Sequence, residues 1–195
     1  MSKIQPSDIM PLDQYDRIRD EYRQRIFQVK KSRRVAVGDY LTFLFENQDT
    51  MKYQIQEMAR VEQLKDPEAV KHEIETYNEL VPDPNEITAS LLIEINDPAA
   101  RAFKLKELVG LQDSVSMLID KDYQVQAEFD DRQITDGKIS SVHYLRFPLG
   151  QKAADAFLST SSVEILITHP ACSYRQELNP DQLEAMKEDL KASRI

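Results

Sequence analysis

The chain has 195 residues, of which 41% are hydrophobic and 30% are charged, and this length suits one domain that buries its own core. With 25 basic and 34 acidic residues its net charge is −9, which disfavours a protein that coats nucleic acid. The single cysteine excludes an intrachain disulfide and a multi-cysteine metal cluster.

Targeting signals and familiar catalytic motifs are also missing from the sequence. The N-terminus has no apolar run behind its lysine, and the longest apolar stretches are too short to span a bilayer as a helix. The glycine-rich nucleotide motifs, the hydrolase nucleophile elbow and the zinc-protease motif are absent. We therefore expect a cytoplasmic protein that makes no membrane contact.

Hydrophobic periodicity and capping residues predict about five helices. The first covers 12–31, where apolar residues recur at steps of three and four. The second covers about 50–64, with Asp49 or Thr50 as its cap. Three more begin at an acidic or amide residue followed by proline, which suits the first helical position because it has no amide to leave unpaired. These pairs are Asp66–Pro67, Asp97–Pro98 and Asn179–Pro180.

Strand-like segments lie between and after these helices. The nearly continuous apolar run at 87–95 predicts a central strand that is covered on both faces. The other predicted strands lie at 35–45, with a turn at Gly38–Asp39, and at 115–119, 123–129, 139–147, 163–168 and 172–178. The order of elements predicts an α+β fold with a mainly antiparallel sheet. We expect a single domain over 1–195 that is helix-rich at 1–82 and sheet-rich at 87–178, with a C-terminal helix at 180–192.

Polar side chains fall on the predicted inward side of the second helix. At 100° per residue, the inward arc is defined by the apolar residues Met51, Tyr53, Ile55, Met58, Val61 and Leu64. Gln54, Glu57 and Glu62 project toward this arc, whereas Lys52, Gln56 and Ala59 lie opposite. The helix is therefore predicted to direct two carboxylates and an amide toward the core or toward a cleft in it.

A buried carboxylate costs several kcal/mol unless it is paired or hydrogen-bonded, so these acids need partners. The candidate partners are Arg34, Arg60, Arg146 and His143, and Glu94 is a third candidate for an inward-facing acid. Two interpretations follow. One is a structural ion-pair network that locks helix to sheet. The other is a polar pocket, in which Glu57, Glu62 and His143 serve acid–base chemistry, or Glu57 and His143 bind a divalent metal.

The segment 17–34 is strongly basic. It holds eight basic and two acidic residues, a net charge of +6 that leaves −15 on the rest of the chain. It could form a docking surface for a phosphate-bearing ligand or an acidic protein. We favour the alternative that it packs near the acidic remainder, which includes Glu184, Glu188 and Asp189. Nucleic acid is disfavoured because no aromatic residues project from a basic sheet face.

Three groups of neighbouring residues together resemble a known family. They are Phe45-Glu46-Asn47, the run QIQEMARVE at 54–62, and Val142-His143-Tyr144-Leu145-Arg146-Phe147. The chain resembles the bacterial family catalogued as domain-of-unknown-function family 3501, from Ile9 to the last helix. The family residues matched here are Glu46, Gln54, Glu57, Arg60, Glu62, His143 and Arg146.

The resemblance carries no established activity. It implies a small cytoplasmic protein whose gene neighbours encode rubrerythrin-like and iron–sulfur proteins. The leading hypothesis is accordingly a non-enzymatic accessory or binding protein for iron or iron–sulfur redox functions, with a rubrerythrin-like or iron–sulfur partner. Its candidate ligand-binding residues are Glu46, Gln54, Arg60 and Arg146. The alternative is a metal-assisted or acid–base enzyme that uses Glu57, Glu62 and His143. A symmetric homodimer is the default oligomeric expectation.

Overall fold

Helices and strands alternate along most of the chain in a computed structural model that describes residues 2–130, 134–135 and 137–194. The helices are α1 (Leu12–Lys31), α2 (Gln48–Val61), α3 (Pro67–Asn78), α4 (Pro98–Glu107), α5 (Gly150–Ser159) and α6 (Pro180–Ser193). The first strands are β1 (Arg34–Val37), β2 (Leu41–Phe45), β3 (Glu86–Ile93), β4 (Val115–Ile119), β5 (Tyr123–Gln126) and β6 (Glu128–Phe129). They are followed by β7 (Ile134–Thr135), β8 (Lys138–Ile139), β9 (Val142–Pro148), β10 (Val163–His169) and β11 (Cys172–Glu177).

The strands form two main sheets. The first sheet has the order β1-β2-β3-β9-β6 and the second sheet has the order β11-β10-β4-β5, while β7 and β8 pair with each other. All strand pairs among the described residues are antiparallel. The predicted α+β class and the antiparallel pairing are therefore confirmed.

The first sheet is covered on both faces. Its inward face shares one hydrophobic cluster with the second sheet, α5 and α6, and this cluster includes Phe43, Phe147, Ile165 and Phe157. Its other face lies against α1, α2 and α3. A second, smaller hydrophobic cluster on that side contains Met51, Ile55, Ile74 and Leu80. The central strand β3 is buried along most of its length, as its continuous apolar sequence predicted.

Three helices begin as predicted, with an Asp or Asn N-cap followed by proline. Asp66, Asp97 and Asn179 each accept a hydrogen bond from a backbone amide in the first turn, and each is followed by proline. The second helix begins earlier than predicted, because Asn47 is the cap and forms a reciprocal capping box with Thr50.

The structure adds a sixth helix to the predicted five among the described residues. Helix α5 starts at Gly150, and its N-cap Leu149 provides no capping side chain. The usual start signal is therefore missing, although Ala153, Ala154 and Phe157 form a buried stripe at helical spacing. None of the described helices carries the apolar run that crossing a bilayer requires, including the 20-residue α1.

The predicted strand at 123–129 is divided between the two sheets. Strand β5 pairs with β4 in the second sheet, whereas β6 pairs with β9 in the first. The chain crosses between the sheets at the buried Ala127, whose amide donates to the Val115 carbonyl. A continuous alternating pattern therefore encodes two short strands with different partners.

Candidate functional site

Helix α2 buries a different side from the one predicted. Met51 and Ile55 are buried as expected, but so are Gln56 and Ala59, which were predicted to face outward. Val61, predicted to face inward, is 68% exposed. The reason is that the N-terminal segment also covers this helix: the Gln56 amide accepts from the Met10 amide and donates to the Met10 carbonyl, both at 2.9 Å.

Glu57 joins α2 to α1. Its carboxylate accepts two hydrogen bonds from the Arg19 guanidinium, at 2.8 and 2.7 Å, and one from the Tyr15 hydroxyl at 2.6 Å. The bonds from Arg19 make the largest contribution to holding the pKa of Glu57 below its ordinary value, and the bond from Tyr15 adds to this effect. Arg60, the predicted local partner, instead pairs with Asp16 at 2.7 Å. Glu57 is thus a member of an interhelical ion pair.

Glu62 and Glu94 do not project inward as predicted. Glu62 caps the C-terminal end of α2 and is exposed, because the helix turns its last residues toward solvent. Glu94 is also exposed; it accepts hydrogen bonds from Arg34 at 2.7 Å and from Thr42 at 2.6 Å. Both predictions for these carboxylates were wrong.

His143 lies on the other side of the first sheet from α2. Along β9 it shares the buried face with Leu145 and Phe147, while Tyr144 and Arg146 point to the face that carries the helices. Its Nε2 donates to the Ser140 carbonyl at 2.8 Å, and its Nδ1 is buried with no hydrogen-bond partner among the described residues. Burial lowers its pKa.

The predicted centre of Glu57, Glu62 and His143 is therefore not assembled. The sheet separates the imidazole from the helix, Glu57 is bonded to α1, and Glu62 faces solvent. Glu57 and His143 do not fit a shared divalent metal. Within the residues that the structure describes, no three His, Cys, Asp or Glu side chains are grouped as metal ligands would be.

Glu46 is the buried carboxylate that the structure leaves incompletely bonded. It follows β2, is only 4% exposed, and its Oε1 accepts from the Ser90 hydroxyl at 2.6 Å. Its Oε2 is buried with no hydrogen-bond partner among the described residues. The Thr50 hydroxyl lies near, but donates to the Asn47 carbonyl. Burial raises the pKa of Glu46 above its ordinary value, against the opposing effects of the two hydroxyls and of Lys30 and Arg33.

This carboxylate lines a cavity of about 180 Å³, here called the Glu46 cavity. The cavity lies between the helix-bearing face of the first sheet and helices α1 to α3. Its polar lining residues are Lys30, Glu46, Gln54, Tyr77, Ser90 and Tyr144. Its apolar lining residues are Leu44, Met51, Leu80, Leu92 and Val142. Such a volume exceeds the roughly 150 Å³ of a protein cavity known to admit benzene.

A larger depression adjoins the cavity at the surface. This outer groove has a volume of about 600 Å³ and shares Tyr77, Leu80 and Tyr144 with the Glu46 cavity. Its charged lining residues are Glu79, Glu128, Asp130 and Arg146. Burial raises the pKa of both Tyr77 and Tyr144. The two tyrosines therefore stand where groove and cavity meet.

The structure brings together some of the predicted ligand-binding residues and separates others. Glu46 and Gln54 line the cavity, and Arg146 lines the adjoining groove. Arg60 lies elsewhere, in its ion pair with Asp16. The sequence interpretation missed Lys30, Tyr77, Ser90 and Tyr144. Ser90 carried a signal, since it is a hydroxyl in the most apolar strand, and Tyr144 is set opposite to His143 by strand alternation.

Much of the basic segment is paired with carboxylates, as the favoured interpretation predicted. Arg33 bonds to Asp189 of α6 at 2.7 Å and Arg19 bonds to Glu57. Arg34 pairs with Glu94, and Arg25 lies 3.6 Å from Asp49. The basic residues of this segment therefore form ion pairs with carboxylates of the same chain.

Comparison with known proteins agrees with this architecture. The sequence profile of the family described as protein of unknown function (DUF3501) matches residues 3–190. The chain belongs to the DUF3501 family. The crystal structure of a protein of unknown function from Burkholderia pseudomallei K96243 is similar to this DUF3501 chain with a TM-score of 0.91 and 31% identity. The match covers 97% of this chain and 100% of that one. Among curated proteins, none matches.

Proposed function

We propose that this DUF3501 chain is a binding protein whose Glu46 cavity receives a small polar ligand. The observation that carries the proposal is Glu46, a buried carboxylate that lines the cavity and whose Oε2 has no hydrogen-bond partner among the described residues. A buried charge without full compensation costs several kcal/mol, and such a cost is typical of a site in which a ligand completes the bonding.

The surroundings of the carboxylate support a binding site. Glu46 is held at the end of β2 by its bond to Ser90 on β3, so two neighbouring strands fix its position. Gln54 and Tyr77 add an amide and a hydroxyl from two helices. Polar groups on rigid elements around an otherwise apolar cavity are the usual composition of a small-molecule site.

The enzymatic alternative loses its geometric support. It required Glu57, Glu62 and His143 to share one pocket, and these side chains lie on different faces and elements. Glu46 and Gln54 remain from the residues that the family resemblance selected, and both suit recognition of a ligand.

The accessory role beside iron or iron–sulfur redox proteins also remains part of the proposal, supported by the resemblance alone. We expect the chain to co-purify with a rubrerythrin-like or iron–sulfur protein at native expression. Recovery of the chain without such a partner under these conditions would count against this role, and would leave ligand binding in the cavity unaffected.

The cavity is tested by a thermal-shift screen of small polar metabolites. We expect compounds that raise the melting temperature of the wild type to lose this effect in Glu46→Gln and in Leu92→Phe, which fills the cavity. Glu62→Gln is the matched control, because Glu62 is an exposed carboxylate that does not line the cavity. The proposal fails if no compound shifts the melting temperature, or if the shifts persist in both cavity variants.

A further inference from the structure

Strand β5 leaves one edge of the second sheet without a neighbouring strand. It ends the strand order β11-β10-β4-β5, and among the described residues it pairs only with β4. We propose that two copies of the chain associate at this edge, through antiparallel pairing of β5 with β5 of a second copy. The two four-stranded sheets then form one continuous sheet about a twofold axis.

The register with β4 determines which backbone groups of β5 face outward. The Ala127 amide donates to the Val115 carbonyl at 2.9 Å, at the end of the β4–β5 ladder. Because bonded and non-bonded positions alternate along an antiparallel ladder, the residues one and three positions before Ala127 are non-bonded. These residues are Gln126 and Gln124, and their amides and carbonyls therefore point away from β4.

Space for another strand lies along this edge. A surface groove of about 680 Å³ is lined by the consecutive residues 122–126 and, in the part of the chain that the structure describes, by no residue of β4. Consecutive side chains of a strand alternate between its two faces, so a groove that touches all five residues runs along the strand edge. The remaining lining residues are Glu128, Pro148, Leu149, Lys152 and Ala153.

Strand β5 lacks the features that usually keep an edge strand single. Such features are charged residues, prolines, extreme shortness and cover by another element. The sequence of β5, Tyr123–Gln126, contains neither a charge nor a proline. The other terminal strands are protected, since β11 carries Arg175 and Glu177 and β6 has only two residues. In β1, the Arg34 carbonyl accepts from the Gln182 side chain at 2.7 Å.

A second copy of the same strand is a fitting partner because the pairing is self-complementary. With the twofold axis at Val125, Gln124 of each copy lies opposite Gln126 of the other, and these two pairs exchange four backbone hydrogen bonds. Tyr123 of one copy then comes within reach of Val125 and Ala127 of the other. The Tyr123 side chain is 37% exposed in the single chain, and the pairing covers it.

The residues that flank β5 give the association a defined response to salt. In this register the exposed Asp122 of each copy approaches the exposed Glu128 of the other. Salt screens the repulsion between these carboxylates, so the dimer should be as tight or tighter at about 0.5 M sodium chloride than at about 0.05 M. Weakening of the dimer by salt would contradict this register.

Light scattering of the full chain after size exclusion measures the association. We expect the average mass to rise from one chain toward two between about 1 and 500 µM, since a short interface binds weakly. Gln124→Pro removes an outward amide but no bond to β4, and it should weaken the dimer at least about tenfold. Gln124→Ala keeps this amide and should associate like the wild type. Circular dichroism checks that both variants are folded.

A cysteine at the twofold axis reports the register independently. Across a non-bonded antiparallel pair the two Cα atoms at position 125 lie about 4.5 Å apart, a separation that a disulfide can bridge. Val125→Cys should therefore form a covalent dimer under mild oxidation. Val61→Cys is the matched control, because Val61 is 68% exposed on α2. The wild type, whose Cys172 is buried, controls for the native thiol.

Three results would overturn the proposal. A monomer at every concentration would leave the edge of β5 to a different partner. Equal association of Gln124→Pro and the wild type would place the interface elsewhere, and equal cross-linking at positions 125 and 61 would exclude the twofold register. Ligand binding in the Glu46 cavity is independent of each outcome, because no residue of β5 lines that cavity.

Discussion

Glu46 combines a structural cost with a position suited to binding. Its pKa is raised by burial, so between the unfolded and the folded pKa the native state holds a proton that the unfolded state has released. The contribution of Glu46 to the stability of the fold is therefore largest below its unfolded pKa. This contribution is lost as the pH rises through the folded pKa. Above the unfolded pKa, the burial of this group therefore lowers the free energy of unfolding.

Replacement of this carboxylate is expected to stabilise the protein. Glu46→Gln keeps an acceptor for Ser90 and removes the buried charge, so we expect a gain of about 1 kcal/mol at pH 8. The gain should shrink toward pH 4, because the wild-type carboxyl is then protonated. Urea unfolding across this range measures it. A loss of stability at every pH would show that the charge is already compensated within the fold.

Gly38 is required by the turn between β1 and β2. Its φ is +62°, a conformation that disfavours side chains, and a Cβ there would overlap the Tyr174 ring. Gly38→Ala should lower the free energy of unfolding by about 2 kcal/mol. Gly150→Ala is the matched control: its φ is +63° with open space around the new Cβ, so about 1 kcal/mol is expected. Equal losses would mean that Tyr174 moves aside freely.

At the scale of single elements, the α1–α2 pair depends on the Glu57 ion pair. Arg19 and Tyr15 both donate to this partly buried carboxylate, and its pKa is lowered. The contribution of Glu57 to the free energy of unfolding is present above its unfolded pKa, and it is lost as the pH falls through its folded pKa. Glu57→Gln should therefore cost about 1–2 kcal/mol at pH 7 and less at pH 3, as measured by urea unfolding.

A second interhelical pair provides the control for this prediction. Arg60 and Asp16 also join α2 to α1, but both side chains are more than one-third exposed. Asp16→Asn should change the free energy of unfolding by less than about 0.5 kcal/mol. If both variants lost the same stability, burial would not distinguish the two ion pairs.

For the whole molecule, Asp189 ties together distant parts of the chain. It accepts from the Arg33 guanidinium at the start of the first sheet and from Asn47, the cap of α2. Arg33 is only 8% exposed, so Asp189→Asn would leave a buried guanidinium without its carboxylate. We expect a loss of about 3 kcal/mol in thermal or urea unfolding.

The adjacent carboxylate tests whether position, and not charge alone, determines this effect. Glu188 is exposed on the same helix, and Glu188→Gln should change stability by less than about 0.5 kcal/mol. A similar loss in both variants would indicate that α6 responds to net charge.

Several features could be predicted because their causes are local. Asp66, Asp97 and Asn179 cap the amides of their own first turns, and a following proline reinforces each start within one residue. The continuous apolar pattern of β3 likewise required cover on both faces. Glu46 and Gln54 were selected by the family resemblance, and the α+β class followed from the order of such elements.

Tertiary structure alone decided which polar groups meet. Met10, far along the chain, buries Gln56 and so selects the buried side of α2, which periodicity within the helix could not indicate. Strand alternation separates Tyr144 from His143, but only the pairing of β3 with β2 and with β9 places Tyr144 near Glu46. Helix caps and hydrophobic stripes depend on neighbours a few residues apart, whereas the cavity depends on contacts between three helices and three strands that are distant in the sequence.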